Sequence, residues 1–310
     1  MSSLSRTLCE YLALRRALGF RLYRPGQALE KFVAFAEHEG AAVITTNIAL
    51  RWAQLPTKAD DATRAGRLDL IRRFARYCYS IDPRTQVPPE GLLPHRRRRR
   101  SPHIWSHSEI VSLLVAAGNM RSPLGLRSLT YTTFFGLIAV SGLRISEALH
   151  LNDGDIDWAA GIITIRDTKF GKTRYVPLHP STLLAMRRYR RKRDSLPIQD
   201  KAAYFVTEHG TRLSESAVRW VFKRLRKIAV KTPPPGFRLA RIHDLRHTFA
   251  VQTLRGWYRD GSDVEAMLPR LATYIGHAHV NDTYWYLSAV PDLLNAAVSR
   301  LEKNRKEQCS

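Results

Sequence analysis

Apolar residues recur every three or four positions along most of the chain, and this spacing predicts a mainly helical protein. In the first 80 residues the pattern forms four amphipathic stretches that Pro and Gly separate, namely Tyr11–Leu18, Ala28–His38, Asn47–Gln54 and Ala62–Tyr79. We therefore expect residues 1–88 to form a small all-α domain.

Residues 105–310 predict a second domain in which helices surround a β-hairpin. Ser106 and Glu109 form a capping-box pattern at a helix start. Two short segments of strand type, Gly161–Arg166 and Arg174–Leu178, flank a polar turn. The stretch Gly256–Pro269 is expected to be an extra loop or short helix. Helical spacing predicts the remaining segments: Leu126–Gly142, Ile145–Leu151, Pro180–Asp194, Ser214–Val230, Asp244–Arg255, Leu271–Tyr286 and an amphipathic C-terminal stretch. The predicted fold class is mostly α with a small β-sheet (α+β).

The charge balance indicates the class of partner. Lys and Arg outnumber Asp and Glu by 50 to 27, which gives a net charge of +23 and a pI near 10.5. Such a field attracts polyanions, of which nucleic acid is the leading candidate and a membrane surface the main alternative. Arg15 and Arg16 interrupt the apolar residues near the N-terminus, unlike a signal peptide, and the longest apolar run, Tyr131–Leu143, falls short of the ~20 residues that span a bilayer. We expect a cytoplasmic protein without membrane segments.

Residues 89–104 predict a basic linker between the two domains, because several prolines disfavour both helix and strand. Five consecutive arginines repel one another unless a polyanion neutralises them. The candidate DNA contacts here are Arg96, Arg97, Arg98, Arg99 and Arg100; a merely solvated linker is the alternative. The three cysteines, Cys9, Cys78 and Cys309, are too scattered to predict a disulfide framework or a metal site.

Cleavage of a DNA phosphodiester without a metal requires cations that stabilise the extra negative charge of the transition state. Arginine suits this task because its guanidinium stays charged and can grip two phosphate oxygens. The second domain offers arginines, proton-transfer groups and a nucleophile in four segments: SGLRISEAL at 141–149, KFGKTRYVPL at 169–178, HDLRHT at 243–248, and Gly276-His277 followed by Tyr286.

In these four segments the sequence resembles the tyrosine recombinase family, which includes phage integrases and Xer-type enzymes. The resemblance covers the second domain, whereas the first is similar only in size, helicity and position. It implies that Arg144 and Arg246 clamp the scissile phosphate, that His243 hydrogen-bonds it and helps to move protons, and that His277 makes a second contact. Tyr286, at the family's spacing from His277, would attack the phosphorus.

The same resemblance implies that Lys169 protonates the 5′-oxygen leaving group. Lys172 is a rival for this role, because the family usually has glycine after the catalytic lysine and Phe170 stands there in this chain. Lys172 and Arg174 are also candidate DNA contacts. Glu147 lies three residues beyond Arg144 on the same helix face, where it can orient the guanidinium.

As a function, the resemblance implies a site-specific recombinase that cleaves and rejoins DNA through a 3′-phosphotyrosyl intermediate, with no cofactor, metal or ATP. The first domain would be a core-binding domain that closes with the catalytic domain as a clamp around duplex DNA. A free monomer would form a tetramer on two double-stranded recombination sites through a C-terminal exchange helix from Asp292, with sibling recombinases or accessory DNA-bending proteins as further partners. The alternatives are a catalytically silent DNA-binding relative and a type IB topoisomerase.

Overall fold

The computed structural model of the protein describes residues 3–20, 22–94, 101–166, 173–230, 239–277, 279 and 281–289. The chain divides into two compact units, Met1–Arg99 and Arg100–Ser310, and this division falls within the stretch 89–104 predicted to be a linker. Several predicted features lie outside the described residues: Arg96 to Arg100, Lys169, Lys172 and the C-terminal helix from Asp292.

The first unit consists of helices α1 (Ser3–Ala17), α2 (Tyr23–His38), α3 (Thr46–Gln54) and α4 (Asp61–Tyr79). Side-chain caps fix two of the helix starts, since the Thr45 hydroxyl accepts a hydrogen bond from the Ile48 amide and the Asp60 carboxylate accepts one from the Thr63 amide. The apolar faces of the four helices share one core, whose fully buried members include Leu29, Phe32, Ala36, Ile71 and Phe74.

The chain that follows α4 is tied back to that helix by Arg72. This side chain is buried, and its Nε and Nη2 atoms donate to the carbonyls of Pro88 and Pro89 at 2.7 and 2.8 Å. Backbone carbonyls outside a helix or strand need other hydrogen-bond donors, and the Arg72 side chain supplies them here. The first unit therefore extends past its last helix to the prolines.

The described residues of the second unit form eight helices and a small antiparallel sheet: α5 (His107–Gly118), α6 (Leu126–Ser141), α7 (Ile145–His150), β1 (Ile156–Asp157), β2 (Ile162–Ile165), β3 (Arg174–Pro177), α8 (Pro180–Asp194), α9 (Glu215–Ala229), α10 (Ile242–Arg259), α11 (Val264–Ile275) and α12 (Asn281–Ala289). The sheet order is β1-β2-β3, and Ile163 of β2 pairs with Val176 of β3. Strand alternation buries Arg174 and Val176 and exposes Tyr175 between them.

The predicted α+β class is confirmed, and so is the capping box. The Ser106 hydroxyl accepts from the Glu109 amide at 3.1 Å, and the Glu109 carboxylate accepts from the Ser106 amide at 2.8 Å. Strand β1, only two residues long, was not predicted. None of the helices in the described part of the chain is both long and apolar enough to span a membrane.

The sequence interpretation was wrong at two places near the C-terminal end of the second unit. Gly256–Pro269 is neither an extra loop nor a short helix of its own, because α10 continues to Arg259 and α11, which begins at Val264 with the Asp263 side chain as its cap, continues to Ile275. The helical segment predicted at Leu271–Tyr286 is broken at Gly276, which ends α11 in the left-handed conformation with φ of 70°.

Candidate active site

The C-terminal end of α11 is the meeting point of three arginine side chains from three other places in the chain. Arg174 of β3 donates from Nε to the Tyr274 carbonyl at 2.9 Å. Arg246 of α10 donates to the Ile275 carbonyl, and Arg144 donates to the Gly276 carbonyl. The last carbonyls of a helix lack partners within the helix and bear its negative partial charge. Three consecutive carbonyls therefore fix three guanidinium groups in one place.

Gly276 is the residue that lets these groups approach the helix end. Its φ of 70° lies in the left-handed region that favours glycine. A Cβ atom at this position would lie 2.9 Å from Nη1 of Arg174 and 3.2 Å from Nη1 of Arg144. Both the backbone conformation and the close approach of the two arginines thus require glycine.

Glu147 connects two of the three arginines. Its Oε1 accepts from Nη1 of Arg144 at 2.7 Å and from Nη1 of Arg174 at 2.8 Å, and its Oε2 accepts from Nη2 of Arg174 at 2.7 Å. Oε2 also accepts the Arg144 amide at the start of α7. Burial alone would raise the pKa of Glu147, but the hydrogen bonds and charges of Arg174 and Arg144 outweigh it and lower the pKa to about 2. The carboxylate stays ionised at neutral pH and orients Arg144.

Arg174, a candidate DNA contact on sequence grounds, is directed inward. Its side chain is only 8% exposed, and Nε, Nη1 and Nη2 all donate within the protein. A guanidinium can donate two parallel hydrogen bonds to a carboxylate, which fixes the orientation of both groups. In this geometry Arg174 braces Glu147, and Glu147 in turn holds Arg144, whose side chain keeps 28% of its surface exposed.

Arg246 is buried more deeply than Arg144 and is held differently. The residue is 1% exposed, and it donates from Nη1 to the Gly142 carbonyl at 2.7 Å as well as to Ile275. Burial, together with the charge of Arg144, lowers its pKa to about 10, so it remains protonated at neutral pH. Carbonyl oxygens satisfy its donors without neutralising its charge, which stays available to an anion.

Helix α10 places Arg246 and His247 three and four positions after His243, so both side chains are neighbours of His243 on the helix surface. The rings of His243 and His247 meet edge to face with their centroids 4.5 Å apart. Nδ1 of His247 lies 2.9 Å from the hydroxyl of Tyr286, which is itself 1% exposed. His247 belongs to one of the four motif segments, but no role was predicted for it; its signal was the spacing of four from His243.

His277 packs against the tyrosine ring. Its ring stacks on that of Tyr286 with centroids 6.1 Å apart and an interplanar angle of 17°, and its Nδ1 pairs with the Thr283 hydroxyl at 2.8 Å. Burial and nearby positive charges, chiefly that of Arg246, lower its pKa to about 4. The same two causes lower the pKa of His243, which is partly open to solvent. These imidazoles are therefore neutral at physiological pH.

The structure thus brings five predicted site residues, Arg144, His243, Arg246, His277 and Tyr286, together with Glu147. Their spacing in the sequence is wide, since Arg144 and its acceptor Gly276 are 132 positions apart. The two candidate lysines lie outside the described residues. What the arrangement offers chemically is two cations that can bind a phosphate and a phenol surrounded by neutral imidazoles.

Comparisons with known proteins agree with this arrangement. The sequence pattern of the phage integrase family matches residues 105–291. A protein of Sinorhizobium fredii described as an integrase/recombinase, y4rB, is 43% identical over 99% of this chain and 100% of its own length. Tyrosine recombinase XerC of Chromobacterium violaceum is 31% identical over 72% of this chain and 68% of its own.

Solved structures of low sequence identity share the fold. The Tn1549 transposon integrase in complex with transposon right-end DNA has a TM-score of 0.66 at 17% identity and covers 97% of this chain and 100% of its own. The XerH site-specific recombinase bound to a difH substrate has a TM-score of 0.63 at 19% identity, over 92% of this chain and 80% of its own.

The matches over nearly the whole chain, and the family pattern across the unit that contains the site, define the class. The chain belongs to the phage integrase family. It is accordingly a tyrosine recombinase, an enzyme of DNA recombination.

Proposed function

We propose that this protein is a site-specific recombinase that cleaves and rejoins duplex DNA through a 3′-phosphotyrosyl intermediate on Tyr286, without metal or ATP. The observation that supports this proposal best is the position of the Tyr286 hydroxyl, 2.9 Å from a neutral imidazole and beside Arg246. The protein would work in the cytoplasm on double-stranded recombination sites.

In this mechanism Arg144 and Arg246 bind the non-bridging oxygens of the scissile phosphate. Attack on phosphorus gathers negative charge on these oxygens, and preorganised cations stabilise that charge more strongly in the transition state than before it. The hydrogen bonds from both guanidiniums to the end of α11 hold them in place before DNA arrives. His243 and His277 would hydrogen-bond the same phosphate.

The leaving 5′-oxygen needs a proton, which a lysine of segment 169–172 would supply as a general acid. Lys169 is our candidate and Lys172 the rival. The phosphotyrosyl bond conserves the energy of the broken linkage, so a 5′-hydroxyl of another strand can reverse the reaction. Strand exchange between two duplexes uses four such sites, from which we propose a tetramer on DNA and a monomer when free.

The relatives support duplex DNA as the partner, since the Tn1549 integrase and XerH structures are complexes with DNA. With a net charge of +23, binding should rely on phosphate contacts and weaken steeply as salt rises. Light scattering of the free protein and of its complex with two sites tests the change from monomer to tetramer.

A nicked suicide substrate that contains the true site tests the chemistry. A covalent protein–DNA adduct is expected, and Tyr286→Phe should abolish it while leaving DNA binding intact. Tyr284→Phe is a matched control, because Tyr284 lies on the same helix but is 43% exposed. An adduct formed by Tyr286→Phe would overturn the assignment. Relaxation of supercoiled DNA that lacks the site would point to a topoisomerase, and binding without any adduct to a silent relative.

A further inference from the structure

We propose that His247 receives the proton of the Tyr286 hydroxyl as that oxygen attacks phosphorus. This inference rests on the proposed function and adds to it the group that activates the nucleophile. A phenol with an ordinary pKa near ~10 is a poor nucleophile at neutral pH unless a base takes its proton. A general base must lie within hydrogen-bond distance of the proton that it removes.

The geometry favours His247 over its two neighbouring histidines. Its Nδ1 is 2.9 Å from the Tyr286 hydroxyl, and its ring meets the tyrosine ring edge to face with centroids 5.4 Å apart. His277 instead lies face to face against the tyrosine ring, and its Nδ1 pairs with Thr283. His243 packs edge to face against the His247 ring.

The position of His247 in α10 fixes this contact. Arg246 precedes it in the chain, and the hydrogen bonds of Arg246 to Gly142 and Ile275 hold the helix against the ends of α6 and α11. Residues one apart point in different directions on a helix. The same turn of α10 thus directs a guanidinium to the helix ends and an imidazole to Tyr286.

The electrostatic surroundings keep His247 neutral until DNA binds. Burial comes first among the causes that lower its pKa to about 3, followed by His243 and Arg246 on its own helix, by Arg241 just before that helix and by His277 after α11. A neutral imidazole can accept a proton at Nδ1. A bound phosphate adds negative charge to this positive environment and so makes the imidazolium more favourable. Proton acceptance is therefore coupled to the arrival of the substrate.

The step conserves its protons and electron pairs. The O–H bond of Tyr286 breaks and its proton moves to Nδ1 of His247, while the tyrosine oxygen forms a bond to phosphorus. The bond from phosphorus to the 5′-oxygen breaks, and that oxygen takes a proton from the general acid. In the reverse reaction the imidazolium of His247 returns the proton to the departing tyrosine.

Two substitutions separate proton acceptance from orientation. His247→Asn places a carboxamide near the position of Nδ1, so it can accept the hydrogen bond of the tyrosine but not its proton, whereas His247→Ala removes both functions. We expect both variants to cleave about 10²–10⁴-fold more slowly in single-turnover assays with unchanged DNA binding. His150→Asn is the control, because His150 is an exposed histidine of the same unit whose Nδ1 pairs with the Ser146 carbonyl of its own helix.

A substrate with sulfur in place of the bridging 5′-oxygen distinguishes the general base, which takes the tyrosine proton, from the general acid, which protonates the leaving oxygen. A thiolate leaves without a proton, so this substrate should rescue a variant that has lost the general acid. It should not rescue His247→Asn, since the tyrosine still has to lose its proton. Added imidazole should restore part of the activity of His247→Ala.

The pH profile is a test that the unaltered protein can also answer. With the sulfur substrate, the cleavage rate of the unaltered protein should change little between pH 6 and 9. Both variants should instead gain about tenfold per pH unit over this range, as the fraction of tyrosinate grows. A tenfold gain per pH unit in the unaltered protein would overturn the proposal even if no variant folded.

Full activity of His247→Asn would show that His247 only orients the tyrosine. Full activity of His247→Ala would show that His247 neither orients the tyrosine nor accepts its proton. Either result would contradict the inference. They leave the proposed function intact as long as Tyr286→Phe forms no adduct. An adduct with Tyr286→Phe would instead remove the proposed function, whatever the His247 variants do.

Discussion

Arg144 and Arg246 donate to adjacent carbonyls at the end of α11. Their positive charges are nevertheless compensated differently. On the Arg144 side, one buried carboxylate faces two guanidiniums, so Glu147 cancels one of the two positive charges. On the Arg246 side, the hydrogen-bond acceptors are the carbonyls of Gly142 and Ile275, and the neighbouring rings are neutral histidines.

The difference shows two ways to keep a cation ready in the interior of a protein. A carboxylate fixes geometry strongly but reduces the field that a phosphate experiences, whereas carbonyls satisfy the donors and leave the full charge. Arg144, which is more exposed, has the first arrangement, and Arg246, which is almost fully buried, has the second. We expect substitutions on the two sides to fail in different ways.

Among substitutions on these two sides, Arg246→Lys should have the largest effect. A lysine keeps the charge but cannot donate to both carbonyls and to a phosphate in the planar geometry of arginine. We expect single-turnover cleavage to fall by about 10²–10³-fold. Arg187→Lys is the control, since Arg187 also donates to a carbonyl, that of Trp158, but on the surface. Equal effects of the two substitutions would contradict the comparison.

Glu147→Gln should act mainly on stability. It leaves Arg174 and Arg144 without the buried carboxylate, and breaking a buried ion pair costs about 3–5 kcal/mol. Urea unfolding measures this loss. Glu215→Gln, in the exposed pair with Arg219, should change the free energy of unfolding by no more than ~1 kcal/mol. A similarly small change for Glu147→Gln would show that the ion pairs of Glu147 with Arg144 and Arg174 contribute little to stability.

Gly276→Ala should perturb both sides at once. A left-handed φ costs an alanine about 1–2 kcal/mol, and the new Cβ would press on Arg174 and Arg144. Gly261 has a φ of 79°, and no other atom lies within 4 Å of a Cβ placed there, so Gly261→Ala measures the backbone cost alone. We expect Gly276→Ala to lower the melting temperature at least as much as Gly261→Ala does, and to be the only one of the two that loses cleavage, because misplaced arginines lower the rate. Unimpaired cleavage by Gly276→Ala would rule out this crowding.

The stability of the folded protein should also depend on pH. Glu147 has a pKa of about 2 in the folded protein against 4.5 ordinarily, so its contribution is complete above pH 4.5 and is lost as pH falls toward 2. His247 and His277, with lowered pKa values, also lose stability on acidification, but from pH 6.5 downward as the unfolded chain takes up protons. The unfolding free energies of the unaltered protein and of Glu147→Gln should converge only below pH 4.5, and convergence already near pH 6 would contradict the assignment.

Much of the fold was predictable because apolar spacing is a local property. The exception at Gly256–Pro269 is informative, because helices form there despite glycine and proline, which usually break them. Gly256 lies inside α10 and Pro269 inside α11, where Leu268 and Leu271 are buried on one face of the helix. The packing of Leu268 and Leu271 outweighs the roughly 3 kcal/mol that Pro269 costs α11, and in α10 the buried Leu254 likewise offsets the roughly 1 kcal/mol cost of Gly256.

The sequence alone could select the residues that the structure brings together, but not the contacts between them. Strand alternation could have directed Arg174 inward with Val176, and helical spacing could have placed His247 beside His243. The need for glycine at position 276 could not be found in this way, because the atoms that exclude a side chain belong to residues about 100 or more positions away.

Three arginines donate to the carbonyls of Tyr274, Ile275 and Gly276, which makes the end of α11 a shared support of the site. Because the three guanidiniums donate to consecutive carbonyls at one helix end, a displacement of that helix end would disturb the hydrogen bonds of all three at once. A transplant of this chemistry into another scaffold would accordingly have to include that last helical turn along with the arginines. The turn is the common reference point from which the positions of the arginine groups are set.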